Sequence, residues 1–185
     1  MVVVSAEELR SVADTEQPQG IVAIARVPRS TLGNLPAGSS EQRWLVLDGV
    51  QDPGNLGTIL RTAAAFGVGG VLALPGTVDA WNAKVVRSTM GASFRMPVVP
   101  VDLNELHDFL VAREVVLWAT DSAGEDIGAV AAPPRLALAV GNEGQGLSPA
   151  LLALAERKVA IPITTEVESL NVDVATGILL YVLRP

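Results

Sequence analysis

The chain has 185 residues, of which 49% are hydrophobic and 18% charged, so it is long and apolar enough to bury a core of its own. It contains no cysteine, which excludes disulfides, thiolate metal sites and a catalytic thiol. The formal net charge is -7, which argues against a polyanionic partner unless basic residues cluster locally.

Neither a signal peptide nor a membrane span is predicted. The longest uncharged run, residues 62–78, is interrupted by glycine and proline, and the N-terminus lacks a basic region followed by a long apolar core. We therefore expect a soluble cytoplasmic protein.

Residues 1–43 are predicted to form a lead-in to the main domain. Ser5 and Glu8 fit a capping box for a short helix that runs through Val12. The apolar run Gly20–Val27 predicts a strand, and residues 28–42, rich in proline, glycine, serine and asparagine, predict a loop.

From Trp44 onward, short apolar runs alternate with longer segments that carry helix signals. The predicted strands are Leu45–Leu47, Gly70–Leu74, Val98–Val101, Val115–Ala119, Leu136–Val140 and Val159–Ile161. The predicted helices are Leu56–Phe66, Asn82–Met90, Leu103–Arg113, Pro149–Glu156 and Asn171–Leu183. This alternation predicts an α/β fold in which residues 44–185 form one domain, with a mostly parallel sheet and helices on both faces.

Three loops that follow predicted strands stand out by their glycine and asparagine content: residues 49–57, 141–148 and 162–171. In an open parallel sheet such loops share one edge, where ligands bind. The second loop has the order G-x-x-G-x-G, which is not the dinucleotide fingerprint, and the chain contains no G-x-x-x-x-G-K-[ST] segment. A Rossmann-type nucleotide site is therefore disfavoured.

Several polar residues in or near these loops have two interpretations. Arg61 suits a phosphate or carboxylate through its forked guanidinium, but it could equally form a salt bridge in solvent. Ser169 and Asn171 could serve only as caps of the last helix. Glu143 is favourable before a helix through the helix dipole alone. His107, the only histidine, lies on an amphipathic helix with no nucleophile elbow anywhere in the chain, so we expect an ordinary surface side chain.

A small basic group, Lys84, Arg87 and Arg95, lies near Trp81 in the sequence. It is consistent with contacts to nucleic acid or with a solvated helix face.

Three segments of the chain together form a pattern that is specific to one protein family. LVLDGVQDPGNLGTILRTAAAFG, LALAVGNEGQGLS and IPITTEVESLNVDVATGILLY resemble the three motifs of the SpoU/TrmH family of RNA ribose 2′-O-methyltransferases, of the SPOUT class, in the family's order. The resemblance implies transfer of a methyl group from S-adenosylmethionine to a ribose 2′-hydroxyl without a metal. It also implies a homodimer and a C-terminal trefoil knot.

The resemblance assigns roles to residues of each motif. It implies catalytic roles for Arg61, Asn55, Glu143, Ser169 and Asn171. It implies cofactor contacts, largely through backbone groups, by Gly141, Ile161, Leu170, Asn142 and Gly146. RNA contacts are expected for Arg61, Lys84 and Arg87. Because a guanidinium keeps its proton in water, we expect Arg61 to clamp an RNA phosphate rather than to act as a simple base.

The lead-in resembles a connector that follows a small RNA-binding domain in family members that modify rRNA. We therefore favour rRNA over tRNA as substrate, and expect either a catalytic fragment without that domain or a minimal form.

Asp173 departs from the family pattern and could repel RNA or pair with Arg61. A non-catalytic RNA-binding or dimerisation module of the same fold is the alternative function. The last helix is apolar on more than one face, which favours a dimer.

Overall fold

The computed structural model describes residues 1–13, 15, 17–36 and 41–184. The strands are β1 (Gln42–Asp48), β2 (Val71–Ala73), β3 (Val98–Pro100), β4 (Val116–Asp126), β5 (Arg135–Gly141) and β6 (Arg157–Ala160). The α-helices are α1 (Ala6–Val12), α2 (Pro53–Ala65), α3 (Ala83–Ser88), α4 (Leu103–Arg113), α5 (Pro149–Leu154) and α6 (Val172–Leu183). Short 3-10 helices span Leu32–Asn34, Ala92–Phe94 and Ile127–Ala129.

The six strands form one parallel sheet in the order β3-β2-β1-β5-β4-β6. Side chains of β1 alternate between its faces: Leu45 and Leu47 pack with α2, α3 and α6, whereas Trp44 and Val46 pack with α4 and α5. The predicted α/β fold, with a parallel sheet between helices, is confirmed. Because the strands are parallel, the loops after β1, β5 and β6 all leave the same edge of the sheet.

The lead-in departs from prediction in one place. Helix α1 forms with the expected capping box between Ser5 and Glu8. The predicted strand at Gly20–Val27 is wrong, because these residues belong to no strand. Ile21 and Ile24 are 85% and 99% exposed. An apolar run forms a strand only where a partner offers backbone groups, and the described residues offer it none.

The end of the lead-in is nevertheless packed on the domain. Leu35 is buried on the face that carries α4. The Arg113 guanidinium donates hydrogen bonds to the carbonyl oxygens of Pro36 (2.7 Å), Leu32 and Leu35 (both 3.3 Å), and lies over the ring of Phe109. Residues 32–36 of the lead-in therefore contact the domain that is predicted for residues 44–185.

Helices α2 and α6 lie side by side and run in the same direction. Gly177 packs against Thr62, with 3.6 Å between a Cβ at Gly177 and the Thr62 methyl carbon. The rings of Phe66 and Tyr181 meet edge to face at 6.0 Å. Both pairs have the same separation along the chain, so the first residue of α6 lies level with Gly57, one turn into α2, and the end of the loop before α6 lies level with the first turn of α2. At the other end of α6, the buried Arg43 donates from Nε to the carbonyl oxygen of Leu183 at 2.5 Å.

Strand β6 lies at one edge of the sheet, whereas α6 packs on α2 near β1. The loop 162–171 therefore crosses the carboxyl ends of neighbouring strands before α6 begins. The order of the strands does not test whether this crossing closes a trefoil knot, which stays a prediction. None of the helices in the described part of the chain is long and apolar enough to cross a membrane.

The backbone of β4 passes very close to that of β6. Val159 pairs with Thr120 and again with Glu125, with an irregularity of β4 between them. A Cβ at Gly124 would lie 2.6 Å from the carbonyl carbon of Val159. Only glycine allows this approach without displacement of one strand.

We predict that Gly124→Ala lowers the free energy of unfolding by about 2 kcal/mol, because the added methyl overlaps backbone that the β4–β6 pairing holds in place. Gly177→Ala is the matched control. Its Cβ meets only an ordinary contact at 3.6 Å, and replacement of a helical glycine is expected to stabilise by about 0.5–1 kcal/mol. Urea unfolding of both variants measures the two effects, and an unchanged midpoint for Gly124→Ala would contradict the close approach.

Candidate active site

The first turn of α2 presents Asn55 at the edge of the sheet. Asp52 is the N-cap, and its Oδ1 accepts hydrogen bonds from the backbone N–H groups of Gly54 (2.7 Å) and Asn55 (2.9 Å). Pro53 follows at the first helical position, where its missing N–H costs nothing. The hydrogen bond from the Asn55 N–H is the main cause that lowers the pKa of Asp52. The sequence D-P-G-N therefore fixes the backbone that carries the Asn55 side chain.

The loop after β5 folds back on itself at its glycines. A Cβ at Gly141 would lie 2.3 Å from the carbonyl carbon of Gly146, and Gly146 has φ +69°. Asn142 and Gly146 exchange backbone hydrogen bonds of 3.0 and 2.9 Å. This compact turn brings main-chain groups, rather than bulky side chains, to the edge of the sheet.

Asn142 uses its side-chain amide within the protein. Its Oδ1 accepts from the N–H groups of Gly144 (2.9 Å) and Gln145 (3.0 Å), and its Nδ2 donates to the carbonyl oxygen of Gly49 (2.9 Å). The amide therefore joins the second loop to the first. The sequence predicts a cofactor contact by Asn142. Since its side chain is engaged within the protein, that contact would be made by its backbone groups.

The two loops also meet through Glu143. Asn55 Nδ2 donates to Glu143 Oε1 at 2.9 Å, and the N–H groups of Asp52 and Gln51 approach the same carboxylate at 3.4 and 3.5 Å. The carboxylate thus lies at the positive end of α2, not before the helix that follows it in sequence.

Opposing influences set the pKa of Glu143. Burial is the largest single influence and raises the pKa. The hydrogen bond from Asn55, followed by those from backbone N–H groups, outweighs it, so the pKa is lowered overall. Glu143 is therefore an ionised acceptor at neutral pH.

Arg61 lies in the exposed part of α2, six residues and about 9 Å along the helix from Asn55. It makes no hydrogen bond or ion pair with any residue that the structure describes. The solvent salt bridge considered for it is absent there. Asp173 does not pair with it either; the hydrogen bond that Asp173 makes is local, from the N–H of Val174 to its Oδ1 at 2.7 Å. The structure does not bring Arg61 into contact with Asn55 or Glu143.

The third loop ends beside the first turn of α2. Asn171 is the N-cap of α6, but its side chain makes no capping hydrogen bond, and Ser169 is exposed without a side-chain bond to a described residue. Capping therefore does not account for these two side chains. Ile161 and Leu170 are partly buried at the ends of the loop. Within the loop between Ile161 and Leu170, one backbone hydrogen bond joins described residues: the Val167 N–H donates to the Thr164 carbonyl oxygen.

The predicted basic group is not a single cluster. Lys84 Nζ lies 4.0 Å from Asp52 Oδ2, next to the first turn of α2, and Arg87 is exposed on the same short helix, α3. Arg95 instead lines a cavity at the amino ends of the strands, together with Gly69 and Pro97. Lys84 is thus the member nearest to the loops.

Two residues that hold the loops escaped the sequence analysis. Asp48, the last residue of β1, accepts a hydrogen bond from Ser148 N–H at 2.6 Å. Thr77 Oγ1 accepts from Gly49 N–H at 3.1 Å and donates to the Leu47 carbonyl oxygen at 3.2 Å. A polar residue that ends an otherwise apolar strand was the available signal for Asp48, whereas Thr77 gave none. His107 is an exposed residue of α4, as predicted.

The described residues contain no group of three or more His, Asp or Glu side chains that could hold a metal ion.

Residues 42–181 match a family model described as the SpoU rRNA Methylase family. The chain belongs to this family. The resemblance carried by the three motifs is thereby confirmed.

Individual relatives agree with the family model. The chain is 39% identical over 181 residues to 23S rRNA (guanosine(2553)-2'-O)-methyltransferase RlmP of Bacillus subtilis, a match that covers 97% of this chain and 71% of that protein. Two solved structures with AdoMet superpose with TM-scores of 0.90. One is an rRNA methyltransferase from Sinorhizobium meliloti, with 32% identity over 97% of this chain and 69% of that one. The other is the SpoU methyltransferase AviRb from Streptomyces viridochromogenes, with 28% identity over 98% and 71%.

The lowered pKa of Glu143 has a consequence for stability in this family member. A carboxylate whose folded pKa is lowered stabilises the fold above its unfolded pKa, near the ordinary value of 4.5, and loses that contribution as the pH falls through the folded pKa. We predict that Glu143→Gln lowers the melting temperature at pH 7 and that its difference from the wild type shrinks below about pH 4.

Glu156→Gln is the control for this prediction, because Glu156 is exposed and makes no side-chain hydrogen bond with a described residue. Its melting temperature should follow the wild type at every pH. A constant offset for Glu143→Gln across the acid range would show that the carboxylate charge is not what the hydrogen bonds stabilise.

Proposed function

We propose that this chain is an S-adenosylmethionine-dependent methyltransferase that modifies a ribose 2′-hydroxyl of ribosomal RNA. The observation that carries the proposal is the hydrogen bond from Asn55 to Glu143, which joins the first and second motif loops at the carboxyl edge of a parallel sheet. Family membership and relatives named as rRNA methyltransferases support the reaction and favour rRNA over tRNA.

The residues present fit the cofactor. The second loop is closed by glycine backbone at Gly141 and Gly146, and the third loop keeps most of its amides out of backbone hydrogen bonds with described residues. Ile161 and Leu170 offer apolar surface for an adenine ring. When bound, S-adenosylmethionine supplies an electrophilic methyl group on a positively charged sulfur. We assign Gly141, Ile161, Leu170, Gly146 and the backbone of Asn142 to holding it.

Glu143 acts through its charge and its hydrogen bonds. A carboxylate with a lowered pKa is a poor base, so it does not take the proton from the ribose hydroxyl. Instead it fixes the amide of Asn55, whose oxygen remains available for a substrate hydroxyl or the cofactor. We assign Asn55 to orientation and Glu143 to holding Asn55 in place.

Arg61 has a different task. A guanidinium that has no partner among the described residues can donate two parallel hydrogen bonds to a phosphate, which fixes the adjoining ribose. Methyl transfer to a hydroxyl releases one proton, and we assign Asn171 to holding the hydroxyl and Ser169, whose own hydroxyl can accept one proton as it gives up another, to passing that proton to solvent. Lys84 and Arg87 contribute further phosphate contacts.

We also propose a trefoil knot and a cytoplasmic location, as in the expectations above.

Arg61→Lys keeps the charge but loses the fork. We expect kcat/KM for methyl transfer to unmodified 23S rRNA to fall at least about tenfold, since a charge-assisted hydrogen bond is worth about 1.5–3 kcal/mol. The affinity for S-adenosylmethionine, measured by calorimetry, should not change. Arg10→Lys, on the exposed side of α1, is the control.

Two results would contradict these assignments. Turnover of Arg61→Lys at the wild-type rate would contradict the assignment of Arg61 to holding a phosphate. Cofactor binding by the wild type without methyl transfer to any ribosomal RNA would favour the non-catalytic module instead.

A homodimer is part of the proposal. The last helix exposes apolar side chains: Val174, Ile178 and Val182 are 38–49% exposed, and Tyr181 is still 55% exposed although its ring contacts Phe66. They lie on α6, which α2 supports from one side, so a second copy would cover them next to Arg61.

We predict that Ile178→Glu converts a dimer into a monomer in light scattering at micromolar concentration, because the interface would bury an unpaired charge. Val111→Glu places the same charge on α4, at a residue that is 64% exposed, and should leave the mass unchanged. A monomeric wild type would refute the dimer.

A further inference from the structure

The face formed by α2, α3 and the short helix Ala92–Phe94 differs in charge from the whole molecule. Three of the four basic residues of segment 53–101 belong to it, and Asp52 lies 4.0 Å from one of them, Lys84, in a chain of net charge -7. Arg61, Lys84 and Arg87 are all exposed there. Electrostatic attraction would direct a polyanion to this face.

The same part of the chain carries an aromatic pair that is only partly buried. The ring centroids of Trp81 and Phe94 are 6.0 Å apart, with the planes tilted by 54°. Phe94 is 70% exposed and Trp81 is half-buried, whereas Trp44 and Trp118 are buried at 0% and 3%. Large aromatic side chains normally contribute to a core, so a pair that solvent reaches beside basic residues indicates a partner with flat apolar faces.

The helix that follows Trp81 packs closely on α2. Gly57 lets α3 approach so closely that a Cβ at Gly57 would overlap Ser88 Oγ. On the same side, Lys84 Nζ lies 4.0 Å from Asp52 Oδ2. Helix α3, which begins two residues after Trp81, is therefore placed next to the helix that carries Asn55.

Charge also indicates on which side of Trp81 a nucleic-acid backbone can run. A groove of about 650 Å³ opens beside Trp81, and its charged lining residues are Arg29 and the three acids Asp79, Asp102 and Glu105. The three carboxylates outnumber the one guanidinium, so the groove would repel phosphate groups. The basic side, toward Lys84 and Arg87, is the one compatible with a phosphate backbone.

We propose that Trp81 and Phe94 form a stacking platform for unpaired bases of the RNA substrate, while Lys84 and Arg87 contact the phosphates between those bases. The inference rests on the proposed function and adds a binding surface outside the three motif loops. Stacking on aromatic side chains requires bases that are not already paired, so the occupant is a single-stranded segment next to the target nucleotide.

Tryptophan fluorescence tests the contact directly, because Trp81 is the tryptophan that solvent and ligands can reach. A mixed-sequence single-stranded RNA 10-mer is expected to quench the emission of the full chain in a saturable titration. A fully paired hairpin of the same composition should quench it much less. Trp81→Phe should lose the quenching and still bind the 10-mer, as followed by a label on the RNA.

Binding and turnover separate this inference from the proposed function. Trp81→Ala and Phe94→Ala are each expected to weaken binding of the labelled 10-mer about tenfold and to raise KM for 23S rRNA. The kcat at saturating RNA and the affinity for S-adenosylmethionine should stay unchanged. Lys84→Gln should reduce the slope of log affinity against log salt by about 0.7. Val111→Ala is the control for removal of an exposed apolar side chain.

Wild-type affinity in both alanine variants would overturn the platform while leaving the proposed function intact. Unchanged RNA affinity together with a loss of dimer in light scattering would instead identify the pair as a contact between copies of the chain. If the wild type binds the 10-mer through Trp81 but transfers no methyl group, the platform stands and the proposed function fails.

Discussion

The candidate site depends on the pairing of β1 with β5. These neighbouring strands end level with each other, with Leu47 opposite Val140 and Asp48 opposite Gly141. Their loops therefore emerge side by side, although about ninety residues separate them in the chain. Hydrogen bonds of 2.9 Å from Asn142 to the Gly49 carbonyl and from Asn55 to Glu143 then join the loops. Because the strands are central and buried and their loops are joined by hydrogen bonds, the protein's own contacts fix this geometry, which reduces the ordering cost of binding.

The architecture was predictable because its signals are local. Buried parallel strands are short apolar runs, helices carry caps, and the parallel order places certain loops at one edge. The partner of Glu143 was not predictable in the same way. Sequence reasoning placed its carboxylate near the helix that follows it, whereas the structure places it at the start of α2. Such contacts depend on which strands are neighbours in the sheet. The hydrogen bonds of Asp48 and Thr77 could not be predicted from the sequence for the same reason.

Gly20–Val27 shows the opposite error. Its composition is that of a strand, and local propensity alone predicted one, but a strand exists only as part of a sheet. Asn171 is a milder case. It occupies the predicted N-cap position, yet its side chain makes no capping bond. Residue type was a good guide to position along the chain and a poor guide to what the side chain contacts.

Charge distribution reconciles an acidic chain with an RNA substrate. Asp52 and Glu143 are both carboxylates of lowered pKa at the start of α2, so they are ionised at neutral pH and repel phosphate. A phosphate backbone that approaches this edge is therefore displaced toward the basic side of α2 and α3, where Arg61 and Lys84 lie. Under the proposed function, that displacement would leave a ribose, which is uncharged, as the part of the nucleotide that comes close to Asn55. The acidic residues would then restrict which part of the nucleotide reaches the methyl donor rather than exclude RNA from the site.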